Sequence, residues 1–551
     1  MKYRLLARYL VLGAAPLGLG VRPPRLPRPA AASAQQPGLS ARDSALHVLN
    51  RLAYGPRPGE VARVAATGVM PWIDQQLAPD RIEDAALARR EQQFELLRYD
   101  RVDLARLFVG AQRERQREAA SATRDTLAEQ RPSLLEQRGR RLAAELQELA
   151  VVRAALSERQ LYEVMVDFWT NHFNVYAAKG ADRFLIPEYV ERVIRPRALG
   201  RFEDLLAATA ESPAMLFYLD NWESVVPGAE PPAHARLRAR PREPLEPDSM
   251  RQRAQPRMPQ GINENYAREL LELHTVGVDG GYSQQDVINV ARIFTGWSIR
   301  PPPQGGAFEF HEWAHDYGEK VVMGVKFPSG HGMDEGRRLL KLLATHPATI
   351  HHVSRQLCER FVNDQPPDGC VDDAVAAWTR SHGEIREVLR AIVTSPDFWA
   401  RANIRSKTKT PLEFVVSAAR ALGADPDTTL RLAQVVARLG EPLYLHVAPD
   451  GYPETEAAWV NSGALLDRMN TAVALAAGRL PGATVTLDSL VPLTPNPEQL
   501  VAAVDGVVLG GAMSEHTRRV IREQLADVRE PARARALAVG LAIGGPEFQR
   551  Q

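Results

Sequence analysis

Apolar residues recur with the period of an α-helix along most of the chain from Ser40 onward. The stretch SARDSALHVLNRLAYG begins at a capping residue, Ser40, and ends at a Gly55-Pro56 stop signal. Further stretches of this kind include LYEVMVDFWTNHFNVYA and YSQQDVINVARIFTGW, the second with Ser283 and Asp286 as a capping pair. No strand–helix alternation and no repeat period interrupts them. The pattern therefore predicts a mainly α fold, one large multi-helical domain spanning residues 35–551.

One segment alternates with a period of two instead. GAFEFHEWAHDYGEKVVMGVKF, residues 306–327, places apolar residues at alternate positions on both sides of a DYGEK turn. This alternation with a turn between two runs is typical of a β-hairpin. We predict a small β-hairpin insertion here, with the turn at DYGEK.

Two segments look like additions to the helical domain. Residues 112–160 are dense in Arg, Glu, Gln, Ala and Leu and are broken at Pro132, which predicts a charged helical hairpin. Residues 227–259 are rich in proline and arginine and offer little to bury, which predicts a flexible insertion. We assign no chemistry to either segment.

The N-terminal residues 1–34 have the order of a secretory signal. Basic residues at the start are followed by an apolar run, and AAASAQQ offers a small-residue cleavage site ending at Ala34. Three arginines in RPPRLPRP, residues 22–29, depart from the usual order, so a short uncleaved anchor is the alternative. We predict an exported protein, periplasmic or extracellular, with no integral membrane domain beyond such an anchor, because no other stretch reaches the ~18 apolar residues of a spanning helix.

Charge and cysteine content narrow the classes of function. The net charge is +1, from 68 basic and 67 acidic residues, so nothing global favours nucleic acid as a partner. The two cysteines, Cys358 and Cys370, cannot form a zinc finger, and the sequence leaves open whether they bridge or pack as small apolar residues.

The most polar helical stretch is NENYARELLELHT, residues 263–275. At 100° per residue, Glu264, Arg268 and Glu272 fall on one stripe, with His274 at the edge of the apolar side. An arginine between two glutamates is typical of a solvated ion-pair ladder worth a few tenths of a kcal/mol. The same groups are also what one wall of a polar site would need, so both interpretations stay open.

Histidines in apolar or alternating surroundings supply the other candidate chemistry. His172 projects from the apolar face of its predicted helix, and HEWAHD adds His311, His315 and Asp316. Imidazoles with nearby carboxylates suit either a divalent metal with nitrogen and oxygen ligands or proton transfer. The sequence contains no HExxH, GxSxG, GxGxxG or P-loop motif.

Several of these motifs together resemble one bacterial family, catalogued as domain of unknown function 1800. The resemblance rests on LNRLAYGPRPGEV, FWTNHF, MLFYLD, NENYARELLELHTVGV, YSQQDVINVARIFTGW, the spacing of His315, Asp316, Gly318 and Lys320, and APDGYPETEAAWVNSGALLDRMN. It runs from about residue 40 to the C-terminus.

The resemblance implies a largely helical and often exported protein without an agreed activity. It also implies a neighbouring exported protein of sulfatase-like appearance as a partner. The positions that match family motifs are His172, Glu264, Arg268, Glu269, Glu272, His274, His315 and Asp316. No catalytic role comes with them, and the segments 112–160 and 227–259 depart from the family pattern.

We therefore predict an internal polar cleft shared by the 263–275 helix, His172 and the 311–316 segment. As a metal-dependent or acid/base hydrolase, the protein would use His172, His274, His315 and Asp316 as metal ligands. Its catalytic acids and bases would be His172, Glu264 and Glu272, and Arg268 would orient an anionic substrate group. The rival is a non-catalytic envelope scaffold, in which these groups form a closed buried network. A cleft of at least ~300 Å³ would favour the enzyme.

Overall fold

A computed structural model describes residues 38–121, 134–230, 232 and 261–551 of the chain. Residues 40–551 belong to one compact unit. The predicted signal or anchor, the Pro132 break and nearly all of the 227–259 insertion lie outside the described residues.

The described part of the chain contains 24 α-helices, which we number α1–α24 in chain order. The helices before the Pro/Arg-rich segment are α1 Ala41–Arg51, α2 Glu60–Thr67, α3 Val69–Gln76, α4 Ala85–Glu91, α5 Arg101–Ser121, α6 Leu134–Leu156, α7 Gln160–His172, α8 Asp182–Glu188, α9 Phe202–Ala210 and α10 Pro213–Tyr218. Those after it are α11 Glu264–Glu272, α12 Gln284–Ile293, α13 Met333–Ala344, α14 Pro347–Phe361, α15 Asp368–Ser381, α16 Ile385–Thr394, α17 Pro411–Ala421, α18 Arg431–Arg438, α19 Glu456–Trp459, α20 Ser462–Ala476, α21 Pro497–Val504, α22 Glu515–Leu525, α23 Pro531–Gly544 and α24 Pro546–Gln549.

Helices make up 61% of the residues and strands 4%, which confirms the predicted mainly α fold. Local caps explain where several helices begin. The Ser40 side chain accepts a hydrogen bond from the Asp43 amide, and Ser283 forms a reciprocal capping box with Asp286. Asn263 caps α11 by accepting from the amide of Asn265.

Three two-stranded antiparallel sheets are present among the described residues. Their strands are β1 Trp297–Ile299, β2 Phe308–Phe310, β3 Lys320–Val322, β4 Val325–Phe327, β5 Asp425–Pro426 and β6 Ala483–Thr484. The pairs are β1 with β2, β3 with β4, and β5 with β6.

The predicted turn at DYGEK was wrong. Strand β2 pairs with β1, which precedes it in the chain. The tight hairpin joins β3 to β4 through Met323 and Gly324. Both turn residues have positive φ, 47° and 79°, as a two-residue hairpin turn with the favoured twist requires. Asp286 accepts a hydrogen bond of 2.6 Å from the Met323 amide, which helps hold this unusual methionine conformation.

One large apolar core joins helices from the whole described chain. Helices α5 and α6 lie against each other. No described helix is long and apolar enough to cross a membrane.

A disulfide joins Cys358 of α14 to Cys370 of α15, which resolves the open question about the two cysteines. Both are fully buried in the core. Helix α14 is therefore covalently tied at the turn that also carries Glu359 and Arg360.

Candidate functional site

Two adjoining cavities form the candidate site. We call the larger one, of about 250 Å³, the outer cleft; its walls include His172, Glu272 and His352. The smaller one, about 60 Å³, is the inner cavity, with room for a few water molecules. The two share a wall made by four residues: Asn171, Tyr452, Pro453 and Glu454.

Helix α7 supplies one side of both cavities. Glu163, Asp167, Thr170 and Asn171 follow one another at helical spacing and all line the inner cavity. His172, the last residue of the helix, lines the outer cleft instead. A single stripe of polar positions on an otherwise apolar helix thus faces the inner cavity.

The 441–454 loop supplies the opposite side and is clamped to the end of α7. The Asn171 side chain donates to the Tyr452 carbonyl and accepts from the Tyr452 amide, both at 2.7 Å. Asn174 donates to the carbonyl of Ala448 at 2.7 Å. Gly451 has φ 71°, and a Cβ there would lie 2.4 Å from the Asn171 carbonyl oxygen, so only glycine fits this contact.

Two carboxyls that line the inner cavity, Asp167 and Glu441, have raised pKa values. Burial raises the pKa of Asp167 to about 7, against the opposing effect of Arg360. Burial raises the pKa of Glu441 to about 8, and the nearby Asp167 adds to the rise. Glu441 also accepts a hydrogen bond of 2.8 Å from the Leu412 amide. Both groups therefore exchange protons close to neutral pH.

Arg360 of α14 balances charge at the wall of this cavity. Its guanidinium lies 2.7 Å from Glu413 and 3.1 Å from Glu454, and its side chain is only 3% exposed. Burial opposes the charge of Arg360, but Glu413 and Glu454 more than offset this and hold its pKa well above the ordinary range. Arg360 thus fixes the position of Glu454 between the two cavities.

Three imidazoles meet beside the outer cleft. The His172 and His274 rings are 6.2 Å apart, and the His172 Nε2 lies 3.3 Å from the His274 carbonyl oxygen. Burial lowers the pKa of His172 to about 3, with further lowering by His274 and His352. Burial also lowers the pKa of His274 to about 3. Both rings are therefore neutral at physiological pH.

The structure separates the predicted residues of α11. Glu272 lines the outer cleft and accepts a hydrogen bond of 3.2 Å from the Tyr282 hydroxyl. Glu264 and Arg268 are partly exposed and both bond to Gln284. They do not line either cavity. The C-terminal end of α11 therefore forms part of the outer cleft wall, whereas its N-terminal end carries a solvated ion pair.

His315 and Asp316 belong to a different polar network. The His315 Nδ1 lies 2.9 Å from the Thr295 carbonyl oxygen, and the carboxylate of Asp316 bonds to Arg292. Fully buried Lys320 pairs at 2.7 Å with Glu335, which also lies 3.5 Å from His315. These contacts connect strand β3 to helix α13.

No arrangement of three or more His, Cys, Asp or Glu side chains fit to hold a metal ion occurs in the described ranges. The predicted ligands His172, His274, His315 and Asp316 therefore do not form one ligand set. His172 and His274 lie together, and His315 and Asp316 lie together, but the contacts of the two pairs share no residue.

The structure shows neither the large cleft expected of the enzyme nor the closed buried network expected of the scaffold. The outer cleft is slightly smaller than the ~300 Å³ expected of a ligand site. The network is not closed either, because the buried Nε2 atoms of His274 and His352 have no hydrogen-bond partner among the described residues.

Sequence reasoning missed Asp167, Arg360 and Glu441. Asp167 stands between Val166 and Phe168 in a largely apolar helix, so a carboxylate at that position was a usable signal. The neighbouring residues Asp450 and Gly451 in the 441–454 loop were a second signal of the site in the sequence.

Comparison with known proteins identifies the protein family. The family described as "protein of unknown function (DUF1800)" matches residues 47–550, so the chain belongs to that family. No curated protein and no solved structure matches the chain.

Proposed function

We propose that the protein is a hydrolase that uses acid–base catalysis, with substrate in the outer cleft and the reacting water in the inner cavity. The observation that carries the proposal is the pair of carboxyls Asp167 and Glu441, which line one cavity and whose pKa values are raised to about 7 and 8. A group with a pKa near the working pH is the most effective proton donor or acceptor. Such shifts inside a cavity are typical of active sites.

The two carboxyls divide the proton transfers between them. Asp167, partly ionised near pH 7, accepts a proton from the water as its oxygen attacks the substrate. Glu441, protonated at neutral pH, supplies the proton that the leaving group takes up. Exchange through cavity water then returns both carboxyls to their starting states.

A panel of chromogenic esters, amides and glycosides tests this function. We expect hydrolysis of at least one class, with a rate that depends on a group of pKa near 7. Asp167→Asn should lower kcat/KM by about 10²-fold or more, the usual contribution of a general base. Asp372→Asn, a change of the same kind on the surface of α15, should leave the rate unchanged.

Two outcomes would contradict the enzyme. One is a folded protein that hydrolyses no member of the panel, and the other is an Asp167→Asn variant as active as the wild type. Either would favour the rival role, a non-catalytic envelope scaffold that pairs with a neighbouring exported sulfatase-like protein.

Export is part of the same proposal. The disulfide between Cys358 and Cys370 supports it, since disulfides persist in oxidising compartments outside the cytoplasm. The signal-like order of residues 1–34 is the second support. Fractionation of the native producer should recover the protein outside the cytoplasm, and N-terminal sequencing should begin after Ala34. A cytoplasmic product beginning at Met1 would overturn this expectation.

A further inference from the structure

Lys320 and Glu335 form an ion pair that water does not reach. The Nζ atom of Lys320 lies 2.7 Å from the Oε2 atom of Glu335, and the two side chains are 0% and 2% exposed. The loss of hydration opposes such a pair, and the mutual attraction of the charges offsets that loss only in part. A reaction that removes both charges would therefore relieve the fold of a real cost.

An exposed pair on the same hairpin has nearly the same distance but different surroundings. The Nζ atom of Lys326 lies 2.8 Å from Glu319, and these side chains are 63% and 52% exposed. Water hydrates both charges there, so neither is costly to keep. Burial rather than distance is therefore what distinguishes the Lys320–Glu335 pair.

His315 stands beside the same carboxylate, and its side chain is also fully buried. Its Nε2 atom is 3.5 Å from Oε2 of Glu335 and 3.1 Å from the carbonyl oxygen of His331. Its Nδ1 atom lies 2.9 Å from the carbonyl oxygen of Thr295. Because carbonyl oxygens only accept hydrogen bonds, both ring nitrogens face acceptors. The ring is therefore placed to deliver a proton to Oε2.

The other contacts of Lys320 hold its nitrogen against Glu335. Lys320 also donates to the backbone carbonyl of Asp316. The Asp316 carboxylate is 3.9 Å from Nζ, but it is bonded to Arg292 at 2.7 and 3.2 Å. Because Arg292 occupies that carboxylate, it does not draw the lysine away from Glu335.

We propose that Lys320 and Glu335 condense to an intramolecular amide, so that this pair is a site of self-modification. Lys320 passes one proton to Oε2, and the lone pair of its neutral nitrogen attacks the carboxyl carbon Cδ. His315 then donates a proton to Oε2 and recovers one from the nitrogen. The Cδ–Oε2 bond breaks, one water molecule leaves, and the two charges are gone. No oxidant or outside reactant is needed.

The surroundings favour the amide once it forms. Groups held in contact need no encounter step, so a fixed geometry accelerates even a slow condensation. The second oxygen of Glu335, Oε1, is buried and has no hydrogen-bond partner among the described residues. As half of a carboxylate it carries uncompensated charge, whereas as an amide oxygen it carries none. The cross-link joins strand β3 to helix α13 and stands apart from the proposed hydrolysis.

Mass spectrometry of the purified wild-type protein tests the proposal without any substitution. After reduction of the disulfide, we expect an intact mass lower by one water molecule than the sequence from the observed N-terminus requires. A tryptic digest should contain residues 293–326 joined to residues 327–337, with the chain uncut after Lys320. Glu319 and Lys326, the exposed pair, should be unmodified. A full intact mass with separate peptides would show an ordinary ion pair and overturn the proposal.

Substitutions identify the reacting groups. Lys320→Arg and Glu335→Leu should each restore the full mass, whereas Lys326→Arg should leave the mass lower by one water molecule. A water loss that persists in Lys320→Arg would overturn the proposal.

The role of His315 has its own test. His315→Gln should leave a measurable fraction of chains unlinked, since the proton carrier is missing. Complete linkage in that variant would overturn the role given to His315. Thermal melts check that each variant is folded, and the wild-type mass decides the proposal even if one is not.

Discussion

An Arg360→Met variant should lose about 3–5 kcal/mol of unfolding free energy, because removal of one partner strands buried charges. The guanidinium contacts Glu413 at 2.7 Å and Glu454 at 3.1 Å. Glu413 is 7% exposed, so water cannot replace the lost cation. Methionine keeps most of the side-chain volume, and the loss therefore reports charge more than packing. Denaturant unfolding at neutral pH measures it.

A surface arginine provides the matched control. Arg390 pairs with Asp74, and both side chains are about half exposed. Arg390→Met should cost no more than about 1 kcal/mol, as exposed pairs do. Addition of Glu413→Gln to Arg360→Met should recover part of the loss, since one stranded charge is then removed. Equal losses of unfolding free energy in Arg360→Met and Arg390→Met would show that the buried ion pairs stabilise the fold no more than an exposed pair does.

An Asp167→Asn variant should be more stable than the wild type at pH 8 and nearly equal to it at pH 4. The folded protein keeps Asp167 protonated up to a pKa of about 7, whereas an unfolded aspartate ionises near pH 4. Between these values only the unfolded state releases the proton, so wild-type stability falls as pH rises. The full difference corresponds to about 4 kcal/mol. Asparagine does not titrate and escapes this loss.

Melting temperatures of both proteins from pH 4 to pH 8 test the expectation. The gap between variant and wild type should open progressively across that range. Asp372→Asn should show no such opening, because Asp372 is exposed. A constant gap would mean that Asp167 has an ordinary pKa and would remove the main support for its catalytic role.

Local features of this fold were readable in the sequence. Ser40, Asn263 and Ser283 begin helices because their side chains satisfy nearby amides, a contact within three residues. The β-hairpin was harder to place. Its turn residue Met323 adopts a left-handed conformation that methionine seldom takes, and DYGEK offered more usual turn residues.

Site residues depended on distant contacts. His172 and Glu272 were recognised as candidates, and both line the outer cleft. Their neighbour Asp450 lies far along the chain and was not recognised, since its loop is positioned only by the clamp from Asn171. The stripe of Glu264, Arg268 and Glu272 showed which residues share a helix face but not where the cleft ends.

The clamp between α7 and the 441–454 loop also has a consequence for the order of folding. Helix α7 leaves the ribosome long before the loop that completes both cavities, and contacts so distant in sequence form late. Until the loop docks, Asp167 stays hydrated and ionised at neutral pH. Docking then removes it from bulk water, and its folded pKa of about 7 means that the closing step takes up protons. A late refolding phase should therefore accelerate as the pH is lowered toward 5.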